Sequence, residues 1–277
     1  MGEDEIFVLI VVGIMALVGT GANSTSGLHS LYFRGNPAPG IVRLGVIGAM
    51  AWIAFVLWNY ADPSVTGVYL FFYLVMGYAV VKLFGQSTAS RLGFRPRVDA
   101  AERRNVAAAT VIAAFTLATG LIFGGSLWGE ADAVGDDEGG WWIPVSFFLL
   151  GWAVLLLAFG LFRRREKAGF ARDIQRGRSF ASARATASFL ISSGVLLTDA
   201  VAGDFWGWRH GLLSFGVLAL MLLVHEAFSA FARSDAPEDT RSRGGDARRT
   251  VESFAYLGLA LLAWLASRYV DTALGAG

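Results

Sequence analysis

The sequence contains no cysteine. That excludes disulfides, thiol catalysis, iron–sulfur ligation and cysteine-based zinc sites. Charge is also scarce. Only 16% of the 277 residues are Asp, Glu, Lys or Arg, whereas 55% are hydrophobic and the mean hydropathy is +0.53. A soluble domain of this length rarely carries that balance. Histidine is limited to His29, His210 and His225. The last two fall on one expected helix, roughly 22 Å apart at 1.5 Å per residue, so they do not face each other as haem or metal ligands would. His29 falls in a loop. No cofactor or metal is therefore expected. Walker, Rossmann, nucleophile-elbow and zincin motifs are absent, which argues against an enzyme. A basic stretch ahead of the first apolar segment is missing too. The start, Met1-Gly2-Glu3-Asp4-Glu5, is acidic, so a cleavable signal is not expected.

What is present is apolar sequence in long blocks. They run roughly 17–25 residues, enough to cross a hydrocarbon core about 30 Å thick. Eight spans are predicted: Ile6 to Gly21, Ile41 to Tyr60, Val65 to Phe84, Val106 to Trp128, Trp142 to Phe162, Ala181 to Gly203, Gly211 to Phe231 and Val251 to Val270. Their interiors show no apolar–polar alternation, as in Ser146-Phe147-Phe148-Leu149-Leu150-Gly151-Trp152. β-barrel strands would alternate. Helices satisfy their own backbone hydrogen bonds in lipid, so the expected fold is an all-α polytopic transmembrane bundle.

The connections differ in kind. Those after spans one, three, five and seven are long and basic, and those after spans two, four and six are shorter and acidic or neutral. Of the 23 Lys and Arg, 21 lie in the long loops or the helix ends beside them, and only Arg209 and Arg268 lie opposite. The opposite side carries Glu3, Asp4, Glu5, Asp62, Glu130, Asp132, Asp136, Asp137, Glu138, Asp204 and Asp271. The positive-inside rule then places the long loops in the cytoplasm and both termini outside. The expected location is the plasma (inner) membrane. Trp58, Trp128, Trp141, Trp142, Trp206 and Trp208 gather at the outer ends, where indoles favour the interface.

The layout suggests four helix–basic loop–helix hairpins, at 1–62, 63–135, 136–206 and 207–277. The middle two align without a gap at an offset of 151 − 77 = 74. Identities recur from Gly77 to Gly129, among them Asp99 with Asp173 and Arg104 with Arg178. The first and last hairpins match in layout only. The segment Arg104-Asn105-Val106-Ala107-Ala108-Ala109 leads into a helix ending Gly120-Leu121-Ile122-Phe123-Gly124-Gly125. This resembles the family called domain of unknown function 350, whose members place an Asn-x-Ala-Ala-like helix start after a polar stretch. Asp173-Ile174-Gln175-Arg176 through Ser182-Ala183-Arg184-Ala185 looks like a second copy, with Ser179 in place of the Asn. The resemblance covers about residues 66 to 203. It implies tandem hairpins and no established activity, and some members are associated with membrane-stress systems.

Two sets of residues stand out as sites. Ionisable groups inside spans are rare and are first read as functional. Asp199 near the outer end of span six, and Lys82, Arg184, Glu226 and Glu252 near inner ends, are the candidates for a polar vestibule. Glu226 is expected to pair with Arg184, and His225 to face lipid or a neighbouring helix. The bland alternative is snorkelling or interfacial pairing. The loop from Arg163 to Arg178 carries Arg163, Arg164, Arg165, Lys167, Arg172, Arg176 and Arg178, a set suited to anionic lipid headgroups. Gly120-xxx-Gly124, Ala109-xxx-Ala113 and Ala114-xxx-Ala118 suit close helix approach, within the chain or between copies in a homo-oligomer. The bilayer is the expected partner, and nucleic acid is not. The expected function is that of a non-enzymatic envelope protein, a scaffold or membrane-stress component, with an ion channel or small-solute transporter as the alternative.

Overall fold

The computed structural model describes residues 2–24, 35–62, 65–129, 140–166, 170–202, 208–234 and 241–273. These residues are helical with no strand. They include eight helices long and apolar enough to cross a membrane, so the chain is an integral, multi-pass membrane protein. The long helices are α1 (Glu3–Ala22), α2 (Ala38–Asn59), α3 (Val68–Val80), α4 (Val106–Ser126), α5 (Trp142–Arg165), α6 (Phe180–Val201), α7 (Trp208–Ser234) and α8 (Arg241–Ala273). α3 continues through a π-helical stretch, Val81–Ser87, into Thr88–Arg91. Two short helical pieces, Pro96–Glu102 and Phe170–Gln175, sit in the loops before α4 and α6.

The second helix of each hairpin forms a central row in the order α2, α4, α6, α8, each packed on the next. Of the first helices, α3, α5 and α7 lie against this row, and α1 packs on α3 and its π-helical continuation. Burial follows the layering. In α4, 72% of the span is buried and in α6 67%, against 17% in α1. Composition accounts for which helices go inside. α4 and α6 are rich in Ala, Gly, Ser and Thr, and small residues let backbones approach where lipid supplies no hydrophobic drive. A Cβ added at Gly120 would lie 2.4 Å from the Cβ of Ala49, and one at Gly194 would lie 2.8 Å from the Cα of Ala118. At Gly45 the neighbour is the Ala113 backbone, at 2.7 Å. The small-residue faces of α4 are therefore spent on α2 and α6 within one chain. The buried hydroxyls of Thr116, Thr119 and Thr198 bond the carbonyl one turn back, so they add no unsatisfied polar group.

The loops that join the hairpins' two helices meet at one end of the bundle. Asn36 Nδ2 donates to the carbonyls of Ala100 and Ala101, at 3.3 and 3.1 Å. Asn105 Nδ2 donates to those of Ile174 and Gln175, at 2.8 and 2.9 Å. The acceptors differ by 74 in number, the offset found in the sequence. Asn105 and Ser179 both cap the following helix through the backbone N–H three residues on. Arg104 and Arg178, the residues just before these caps, both adopt positive φ (54° and 53°), and Gly35 before Asn36 does so at 94°. The first hairpin thus shares this element at an offset of 104 − 35 = 69. Ala49 against Gly120 becomes Ala118 against Gly194 under the same offsets, 118 − 49 = 69 and 194 − 120 = 74. At the opposite end Tyr60 stacks on Trp128 (centroids 3.9 Å apart) and the Gly129 N–H donates to the Tyr60 carbonyl.

The π-helical stretch of α3 has a local cause. A π turn leaves a carbonyl without its usual partner. Asn23, at the end of α1, donates to the Lys82 carbonyl (3.2 Å), to Ser87 Oγ (2.8 Å) and to the Gly19 carbonyl. Gly85 faces the Thr116 backbone so closely that a Cβ would lie 3.1 Å from its Cα. The wide turn lets α3 bend over α4 while Asn23 satisfies the exposed carbonyl.

Candidate functional site

α8 begins ten residues before the expected span, so Arg249 is helical and shares a face with Glu252 and Tyr256. That face meets His225 of α7 and Glu166, which follows the last residue of α5. The result is a buried polar network near the end of the bundle where the basic loops lie. Arg249 grips Glu166 through two parallel bonds, Nη1 to Oε1 and Nη2 to Oε2, both 2.6 Å. Its Nη1 also donates to Glu252 Oε2 at 3.0 Å. The Tyr256 hydroxyl donates to Glu252 Oε1 at 2.6 Å. His225 Nδ1 lies 2.8 Å from that same oxygen and 2.9 Å from the Tyr256 hydroxyl. A carboxylate only accepts and the Tyr256 proton is already committed, so Nδ1 carries the hydrogen and donates.

Aromatic rings enclose the network. Phe162 stacks on the His225 imidazole at 4.1 Å and on Phe189 at 4.5 Å. Phe170 lies under the Arg249 guanidinium at 6.0 Å, a cation–π contact. The side chains of His225 and Glu252 are 0% exposed, Glu166 3% and Arg249 13%. Two carboxylates against one guanidinium leave the group electron-rich. Such burial is costly unless every charge is bonded. The chemistry this permits includes the holding of a cation or of helix positions.

Of the five expected vestibule residues, only Glu252 belongs to this network. Glu226 is one residue on from His225 and turns away, pairing with Arg165 at 3.1 Å. Arg184 donates to Thr250 Oγ1 instead. Lys82 stays on the α1–α3 side, with Gln86 Oε1 at 3.1 Å and the Tyr78 ring below it. Asp199 lies towards the opposite end, within 3.5 Å of Ser214 Oγ. There it lines an apolar cavity of about 340 Å³ with Trp52, Trp128, Ser192, Thr198 and Trp264. His225 faces neighbouring helices, and Glu166, Arg249 and Tyr256 join it from positions that loop and span expectations had set aside.

The expected headgroup residues Arg163, Arg164, Arg165, Arg172, Arg176 and Arg178 are exposed, and Lys167 lies outside the described residues. Several are anchored. Arg163 donates to the Leu92 carbonyl, Arg178 to that of Arg103, and Gln175 to that of Gly93. The acidic run Asp136-Asp137-Glu138 and His29 also fall outside the described residues. Comparison with protein-family models, with curated proteins and with solved structures finds no match for this chain.

Proposed function

We propose that the chain is a non-enzymatic plasma-membrane scaffold with both termini outside, whose cytoplasmic face is a rigid platform of arginines for anionic groups. The observation that carries this reading is the interlocking of the loops. Asn36, Asn105, Gln175, Arg163 and Arg178 each bond a carbonyl of another loop, and the arginines between them point to solvent. Cations held at fixed spacing bind a polyanion with less entropy loss than cations on mobile loops. The shared offsets support an internal repeat that reaches back to the first hairpin. They agree with the tandem-hairpin layout that the resemblance to domain of unknown function 350 implies.

Two experiments test it. The chain has no native cysteine, so single cysteines report topology directly. Cysteines at Glu3, Gly135 and Gly275 should label in intact cells with an impermeant maleimide, and cysteines at Arg97 and Arg172 should not; the reverse pattern overturns the orientation. Purified from mixed bilayers, the protein should retain anionic over neutral lipid, and the quadruple variant Arg164→Gln, Arg172→Gln, Arg176→Gln, Arg178→Gln should lose most of that preference. Each basic residue contributes on the order of 1 kcal/mol at an anionic surface, screened by salt. Equal retention by both proteins overturns the platform. A second reading, channel or small-solute transport, draws on the buried ionisable network, because such groups in a membrane often mark ion paths. Flux into proteoliposomes decides between the two.

A further inference from the structure

We infer that Glu166, His225 and Glu252 form a binding site for one divalent transition-metal ion. The inference starts from an orphaned atom. With Nδ1–H given to Glu252, the Nε2 nitrogen presents a bare lone pair. It is fully buried and has no hydrogen-bond partner. The nearest charged group ahead of it is Glu166 Oε1, 3.8 Å away. Two acceptors therefore face each other with no proton between them. Glu166 Oε1 is bonded by Arg249, but the Nε2 lone pair loses hydration without compensation.

A metal ion resolves that gap. Two ligands about 2.0–2.1 Å from a tetrahedral zinc-class ion are roughly 3.4 Å apart, so closing from 3.8 Å takes a few tenths of an ångström. One ligand atom from each of Glu166, His225 and Glu252 lies within 4.8 Å of the others. Glu166 Oε1 and His225 Nε2 are the two protein ligands, which leaves open positions for water, while Glu252 holds the ring from its far nitrogen. The Nδ1–H to Glu252 bond is the second mark. Histidines that bind metal through one nitrogen commonly give the other N–H to a carboxylate, which fixes the ring and raises its basicity. Phe162 holds the ring plane from one side. Arg249 keeps both carboxylates close before the ion arrives. After it, the Nη2 bond to Glu166 Oε2 remains while Oε1 turns to the metal. One imidazole and one carboxylate as ligands, without thiolate, suit Zn²⁺, Mn²⁺ or Fe²⁺, and disfavour Cu⁺. Ca²⁺ and Mg²⁺ prefer all-oxygen sets.

Tag-free full-length protein in detergent, stripped with chelator, is the material for the test. Titration with Zn²⁺ should give one saturable site per chain, and Glu226→Gln should leave it unchanged. His225→Gln and Glu166→Gln should each weaken it at least tenfold. A second measurement stands even where those variants fail to fold. In a chain with His29→Gln and His210→Gln, His225 is the only imidazole, so bound Mn²⁺ should show nitrogen coupling by electron spin-echo spectroscopy. No saturable site in the wild type, an undiminished site in a folded His225→Gln variant, or Mn²⁺ without nitrogen coupling overturns the inference.

Discussion

Replacing Gly120 by Ala adds one methyl group at the point where α4 crosses α2. The new Cβ would sit 2.4 Å from Ala49 Cβ and 2.9 Å from Ala49 Cα, where ordinary contact is 3.4–4 Å. The obstacle is helix backbone and a side chain with no rotamer to change. The two helices must separate by about 1 Å, and a gap of that size forfeits a quarter to a half of each neighbouring dispersion contact. Overpacking of this kind costs about 1–3 kcal/mol. The better helix propensity of Ala returns at most about 1 kcal/mol. Thermal unfolding in mild detergent is the assay, and each kcal/mol corresponds to roughly 2–4 °C for chains of 150–250 residues. Gly120→Ala should therefore lower the melting temperature by several degrees. Gly160→Ala, where nothing lies within 4 Å of the added Cβ, should leave it level or raise it. Adding Ala49→Gly to Gly120→Ala should recover part of the loss, a coupling that a double-mutant cycle measures directly. An unchanged melting temperature for Gly120→Ala, or an equal fall for Gly160→Ala, refutes the packing of the central row.

Arg249→Gln leaves Glu166 and Glu252 buried without their cation, so it should destabilise by about 3–5 kcal/mol in the same melt, whereas Arg165→Gln, which removes one partner of the part-exposed Glu226, should cost under about 1 kcal/mol. Asn105→Ala removes a helix cap and two bonds to buried carbonyls, an expected loss of about 2–4 kcal/mol, and should speed proteolysis of the 166–179 loop. Asn23→Ala frees the Lys82 carbonyl at the π-helical stretch and should cost about 1–3 kcal/mol, with faster hydrogen exchange confined to α1 and the end of α3.

The network at Glu166, His225 and Arg249 was only partly legible in the sequence. Glu252 drew notice because a carboxylate inside an apolar span is unusual. Glu166 did not, because it follows three arginines and reads as their counter-charge. Arg249 was counted among loop cations, since apolar content in α8 starts only at Val251, yet the helix itself starts at Arg241. Hydropathy marks where lipid-facing sequence begins, and the backbone stays helical beyond it wherever packing supports it. The same gap explains Glu226, whose expected partner Arg184 has the reach but sits at Thr250 on another face of α6.

The eight spans were set by length and composition, because a helix crosses about 30 Å of lipid only with some twenty apolar residues, whatever lies beside it. The 74-residue offset was visible for the same reason, as identities between Gly77 and Gly129 that depend on no neighbour. Small-residue composition favours α4 and α6 for the inside, and tertiary structure decided that the inner row runs α2, α4, α6, α8. It also decided that Ala49 meets Gly120 as Ala118 meets Gly194, and that Glu166 after α5 and Glu252 of α8 converge on the His225 imidazole of α7. Span hydropathy overlaps between inner helices (1.3–2.2) and outer ones (1.8–2.4) and names no partner; in lipid that choice falls to steric fit and to the few polar groups that must find one another.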